Sequence, residues 1–429
     1  MEHFIVEGNG PLKGDVAISG AKNAALPLLA AAILSSETLH LDNLPLVSDV
    51  KTMCTLLERM GLGVEPDGTS VSLNGESLSS YVAPYDLVKT MRASILALGP
   101  LVARLGVARV SLPGGCAIGA RPVDLHLAAL EKMGARVDQD HGYIEVRARR
   151  LKGATIFFEK VTVTGTENIM MAATLAEGTT VLHNAAREPE VVDLAECLIN
   201  MGARIFGQGT ETITIEGVAR LGQARHRVMP DRIEAGTYLC AAAITGGHVT
   251  IGHIRPDHLT LFLHTLTRAG VPLSVSRDAV VVRPHSGLVA VDIETQPFPA
   301  FPTDMQAQFT ALMTQATGRA RVVESIFENR FMHIPELCRM GADITIDNRT
   351  ATVTGPTRLS GARVMATDLR ASASLVLAAL VAEGKTCIER IYHLDRGYAD
   401  LDLKLAALGA NIKRVEAGTV QRPELVVVA

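Results

Sequence analysis

Along this chain, Ala- and Leu-rich stretches of helical periodicity alternate with short β-branched, strand-like runs. The alternation is regular. A first helix closes at a small residue, a strand and a loop follow, and a second helix ends on the phrase Leu-x-x-x-Gly before the next strand. The phrase recurs as Leu57–Gly61, Leu130–Gly134, Leu198–Gly202, Leu266–Gly270, Leu337–Gly341 and Leu405–Gly409, with glycines 73, 68, 68, 71 and 68 residues apart. An apolar residue follows each glycine by three: Val64, Val137, Ile205, Leu273, Ile344 and Ile412. Glycine just beyond the last helical turn suits the left-handed C′ position. One unit of about 70 residues is therefore written six times. The pattern predicts an α/β protein of two closed domains with three units each, sheets outside and helices inside. In the sixth unit it predicts a helix over 368–383, a strand over 386–391, a loop at 393–398 and a second helix running to 408.

Counting back 14 residues from each first helix's closing residue (Ser36, Gly106, Gly178, Gly246, Gly318, Gly384) reaches Lys22, Arg92, Thr164, Arg232, Asp304 and Arg370. All six positions fall in the first turn of a predicted helix. Four are cationic, against the preference of the helix dipole. A helix N-terminus joined by a cation is an anion site, and four of them in register point to an anionic ligand. Asp304 follows Pro302-Thr303 and reads first as a helix cap and second as a general base; Asp231 and Asp368 read as caps in the same way. Arg330 and Arg396 read as loop arginines.

The distance from closing residue to phrase glycine is 25, 28, 24, 24, 23 and 25 residues in the six units. The second is longest, and its surplus falls in Leu112-Pro113-Gly114-Gly115-Cys116-Ala117-Ile118-Gly119-Ala120-Arg121-Pro122. Three glycines around a cysteine predict a lid-like loop. Arg121 nearby favours the Cys116 thiolate, making it a proton donor or acceptor near neutrality. The other five cysteines (Cys54, Cys197, Cys240, Cys338, Cys387) sit within helix or strand patterns and read as buried packing residues.

Composition narrows the function. A net charge of −4 and 4% aromatics, with no Trp, argue against a nucleic-acid partner. The longest apolar run, 24–34, holds 11 residues including Pro27, too few to span a bilayer. The start, Met1-Glu2-His3-Phe4, lacks a signal-peptide pattern, so a cytoplasmic location with reduced thiols is expected. Gly384-Lys385-Thr386 lacks the leading glycine of a phosphate loop, since position 379 is Ala. His253, His258 and His264 do not form a zinc-helix pattern, so no metal is expected. No Gly-x-Gly-x-x-Gly follows a strand, which argues against a dinucleotide site.

The phrases Ser19-Gly20-Ala21-Lys22-Asn23-Ala24, Met91-Arg92-Ala93-Ser94 and Pro113-Gly114-Gly115-Cys116 carry a resemblance, continued by Arg121-Pro122-Val123-Asp124-Leu125-His126 and Arg187-Glu188-Pro189-Glu190. Phe301-Pro302-Thr303-Asp304-Met305-Gln306, Glu328-Asn329-Arg330-Phe331 and Asp368-Leu369-Arg370-Ala371-Ser372 extend it over nearly the whole chain. The sequence resembles the enolpyruvyl transferases, specifically the UDP-N-acetylglucosamine 1-carboxyvinyltransferase family that opens bacterial peptidoglycan synthesis. The resemblance implies an inside-out α/β barrel with a cleft between a 22–229 domain and a second domain of 1–21 plus 230–429. It implies attack of the sugar-nucleotide's 3-hydroxyl on phosphoenolpyruvate through a tetrahedral intermediate, with loss of phosphate, no cofactor and no obligate protein partner. Cys116 would be the general acid and Asp304 the base, with Lys22 and Arg396 completing the catalytic set. Lys22, Asn23, Arg121, Arg370 and Arg396 would hold phosphoenolpyruvate. Arg92, Arg121, Pro122, Val123, Asp124, Leu125, Lys160, Val161, Thr162, Val163, Asp304 and Ile326 would hold the sugar nucleotide. One departure is Thr164, in a stretch (162–165) where the family places glycine differently.

Two other readings share the repeat. The sister family acting on shikimate 3-phosphate lacks a cysteine-bearing lid, so Cys116 speaks against it. A non-catalytic sugar-nucleotide-binding relative would have no need of Cys116, Asp304, Lys22 and Arg396 together.

Overall fold

The structure, a computed structural model, describes residues 2–89, 91–111 and 123–416. Its helices and strands follow the repeated unit closely. The inner helices Lys22–Ala31, Leu98–Leu105, Val163–Ala173, Arg232–Ile244, Gln306–Met313 and Leu369–Ala379 are made largely of small and aliphatic residues. They are apolar almost all round because they are enclosed on every side: each residue from Ile233 to Ile244 is buried. Alanine allows the close helix approach this demands.

Among the described residues the strands form six small sheets, five of four strands and one of five. Their central strands alternate buried and half-buried positions, as in Thr38–Asp42 and Thr179–His183, with the buried side against the helices. The buried apolar residues fall into two clusters. One spans Ala21 to Met229. The other joins Phe4–Ile18 to Ile233–Ile412. The six phrase glycines all take positive φ, between 87° and 105°, as the C′ reading requires. In the sixth unit the helix is Leu369–Ala379, shorter than expected, and the strand is Lys385–Glu389. The expected loop contains a 3-10 turn, Ile391–Arg396, before the helix Leu401–Ala407.

Two exchanges of strands tie the lobes together. In units two, three, five and six the strand before the inner helix lies parallel to the strand after it, while units one and four trade these strands. Lys13–Ala17 pairs with His248–Gly252, and Ala224–Arg227 pairs with Thr38–Asp42. The two connections therefore pass each other side by side, with Gly20 bridged to Pro230. Ala21 N–H donates to Met229 O at 2.7 Å and Asp231 N–H to Ser19 O at 2.9 Å. Glycine is needed at this crossing, since a Cβ on Gly20 would lie 1.8 Å from Asn43 O. The N-terminal strand Glu2–Glu7 pairs with Asn411–Glu416, supplying the strand that completes the sixth unit.

Candidate active site

The six register positions are at helix starts in the structure too. Lys22 and Arg232 open α-helices, Arg92 opens the 3-10 turn leading into Leu98–Leu105, and Thr164 and Arg370 are second residues. Asp304 lies in the 3-10 turn Thr303–Met305 that runs into Gln306–Met313. Side chains from the start of Lys22–Ala31 in the first lobe and of Leu369–Ala379 in the second, Asn23 and Arg370, meet at Asp304.

Two carboxylates organise the cations there. Asp49, at the start of Ser48–Arg59 and almost fully buried, accepts from Lys22 Nζ at 2.8 Å and from Arg396 Nε at 3.0 Å. Arg396 comes from the opposite lobe, so this contact closes the gap between them. Asp304 accepts from Arg330 Nη2 at 2.7 Å, Arg370 Nη2 at 3.1 Å and Arg370 Nε at 3.2 Å. Asn23 Nδ2 reaches Asp304 Oδ2 from the first lobe at 3.4 Å. The buried Arg370 guanidinium also lies 5.4 Å from the Tyr398 ring centre.

These six charged groups, Lys22, Arg330, Arg370 and Arg396 against Asp49 and Asp304, sum to +2. The imbalance shows in the lysine. Burial lowers the Lys22 pKa, Asp49 partly restores it, and the Arg370 and Arg396 charges lower it further. Burial opposes the ionisation of Asp49, but Lys22 and Arg396 outweigh it and its carboxyl stays below the ordinary range. Such a cluster is short of negative charge and suits a small dianion or trianion held by charge-assisted bonds.

A second polar group spans the cleft. Arg232, its side chain 9% exposed, forms a two-pronged pair with Glu190 at 2.9 and 3.2 Å. Glu188 Oε1 accepts from Phe298 N–H at 3.3 Å. Glu167 is fully buried beside both glutamates; burial first, then their charges, push its carboxyl pKa well up. Burial raises Glu188 as well.

Several expectations need correction. Arg330, read as a solvated loop residue, is buried with its guanidinium on Asp304 and Thr303. Asp304 does not cap its helix through its side chain. Asp231 and Asp368 do cap theirs, each accepting two backbone N–H groups. Cys338 is exposed rather than buried, while Cys54 and Cys387 are half-buried and only Cys197 and Cys240 are core residues. Asp49 went unread: a single Asp in an ordinary helix start carries no signal until Lys22 and Arg396 are folded onto it.

For the expected nucleotide residues the picture is local. Thr162 Oγ1 accepts from Gly165 N–H at 3.2 Å, capping Val163–Ala173, with Lys160 and Val161 just before it. Val123 is buried ahead of the helix Asp124–Lys132, which begins with Asp124 and Leu125. Ile326 N–H donates to Glu324 at 3.0 Å. Arg92 lies close enough to the buried His126 to help burial lower its pKa to about 4. Cys116, Arg121 and Pro122 lie outside the described residues.

Comparison with known proteins agrees with this geometry. The profile of the family described as EPSP synthase (3-phosphoshikimate 1-carboxyvinyltransferase) matches residues 6–405. The enolpyruvyl transferase NikO from Streptomyces tendae is 28% identical, with 96% of this chain and 99% of that chain covered at a TM-score of 0.87. An EPSP synthase from Acinetobacter baumannii shares the fold at 18% identity and a TM-score of 0.74, with 97% of this chain and all of that one (100%) covered.

Proposed function

Since this chain belongs to the EPSP synthase family of enolpyruvyl transferases, we propose that it transfers the enolpyruvyl group of phosphoenolpyruvate to the 3-hydroxyl of UDP-N-acetylglucosamine. The observation that carries the reading is the cationic cluster Lys22, Arg330, Arg370 and Arg396, left two charges in excess by Asp49 and Asp304. Phosphoenolpyruvate offers a phosphate and a carboxylate to such a cluster.

The reaction asks for an acid, a base and charge stabilisation. A proton is added to C3 of phosphoenolpyruvate, the sugar oxygen bonds to C2, and the hydroxyl proton passes to a base. The resulting tetrahedral intermediate then loses the C3 proton, re-forms the double bond and expels phosphate. Positive charge building at C2 is countered by the substrate's own anions, which the arginines hold in place. Cys116 supplies the acid. Asp304 supplies the base from a position where Arg330 and Arg370 fix the orientation of its carboxylate. Cys116 in the loop phrase Pro113–Cys116 favours the sugar nucleotide over shikimate 3-phosphate as acceptor.

The deciding experiment measures phosphate released from phosphoenolpyruvate with each acceptor in turn. Release that depends on UDP-N-acetylglucosamine is expected; release only with shikimate 3-phosphate, or none from folded protein, overturns the reading. Cys116→Ala and Asp304→Asn should each lower turnover by about 10²–10⁴ while sugar-nucleotide binding persists. Equal loss of binding would make either residue a binding group instead.

A further inference from the structure

A cavity of about 290 Å³ opens where the two connections cross, and its walls come from both lobes. Arg227 and Asn43 line it from the first lobe; His253, Arg255 and Arg277 line it from the second. Ile18, Pro230 and Ile254 contribute apolar wall, Ile18 and Pro230 from the crossing connections themselves. None of its lining residues belongs to the Lys22–Asp49–Asp304 cluster or to the expected nucleotide contacts.

The charge of this cavity is unbalanced. Arg227, Arg255 and Arg277 line it with one carboxylate, Asp278, so the arginines outnumber the acid by two. Among the described residues, none of the three arginines forms an ion pair, whereas Arg225, two residues before Arg227, is held by Asp42. Arginines gathered around a concavity without acidic partners suit a ligand with two or more negative charges, held by bidentate bonds. The apolar wall favours an organic or condensed phosphate over a bare halide-like ion.

We propose that this cavity binds a small multiply charged phosphate compound, which bridges the lobes at their hinge and so couples its own binding to the cleft. The route is short. Ile18 N–H donates to Gly252 O at 3.1 Å, beside His253, and Ile18 stands four residues before Lys22. Pro230 precedes Asp231, which caps Arg232–Ile244 and accepts from Lys22 N–H at 3.4 Å. An anion drawing Arg227 toward Arg255 and Arg277 therefore acts on the same backbone that sets Lys22.

The test is titration calorimetry with inorganic pyrophosphate on three full-length proteins: wild type, Arg227→Gln/Arg277→Gln, and Lys22→Ala. The substituted arginines are exposed, and near-ultraviolet circular dichroism checks that each variant is folded. Binding should weaken by roughly tenfold or more in the double variant and persist in Lys22→Ala. An isotherm unchanged in the double variant, absent from wild type, or lost in Lys22→Ala overturns the site. Amide exchange over 18–21 and 228–231 should slow with pyrophosphate in wild type; exchange unaffected by bound pyrophosphate overturns the bridging. Neither readout involves turnover, so this site stands or falls separately from the transferase reading.

Discussion

Lys22 sits under opposing pressures. Burial and two neighbouring arginines favour its neutral form, and Asp49 at 2.8 Å favours the ammonium. A bound trianion would tip that balance toward the ammonium. Phosphoenolpyruvate binding in alkaline buffer is therefore expected to take up protons, read by calorimetry in two buffers of different ionisation enthalpy. The uptake should shrink in Lys22→Arg, whose guanidinium stays charged. Buffer-independent heats in the wild type would place the anion away from Lys22. Asp49 has the complementary role: it keeps two cations from two lobes within one hydrogen-bond radius before any substrate arrives.

Among the elements, the crossing strands are the most constrained. Gly20 packs with no room for a side chain against the Asn43 carbonyl, while Asn43 Nδ2 donates to Val228 O at 2.9 Å. Gly20→Ala must push the first connection away from the loop after Thr38–Asp42. A stability loss of about 3 kcal/mol is expected in chemical denaturation, the scale of overpacking a tight site. Gly68→Ala, at a hairpin turn with open space around it, provides a control that strains only the backbone. Equal losses in the two variants would mean that the Asn43 contact carries no weight. The inner helices teach the converse lesson. Their starts were readable because the register of Lys22, Arg92, Thr164, Arg232, Asp304 and Arg370 survives in the sequence, whereas their ends shifted by a few residues where the last turn gives way to loop.

At the scale of the molecule, the lobes meet through buried charge as well as backbone. Arg232 from one lobe is the cation held between Glu190 and the neighbouring Glu188 of the other. Arg232→Gln removes it and leaves the carboxylates of Glu167, Glu188 and Glu190 together in a dry site, at an expected cost of about 3 kcal/mol near neutral pH. The folded pKa values of Glu167 and Glu188 already lie above the ordinary range. Groups raised in this way are costly at high pH and relieved as pH falls through their folded values. The variant's deficit should therefore narrow between pH 7.5 and 5.5 in denaturant titrations. A deficit constant with pH would assign the loss to the Phe298 ring instead, whose centre lies 5.6 Å from the Arg232 guanidinium.

No helix among the described residues is long and apolar enough to cross a membrane. The sixfold unit, the left-handed phrase glycines and the cationic helix starts were all settled by periodicity, because repeat spacing and helix capping are local and reach only a few residues along the chain. The partners of those cations were not. Asp49 and Arg396 are 347 residues apart, and the Asp304 pair with Arg330 depends on how a loop returns over a helix start. The exchange of strands between units one and four is likewise invisible in either unit alone, since each strand has the same local pattern whichever sheet it joins. Burial and electrostatic pairing are properties of the packed chain, so only the folded molecule decides which charges meet.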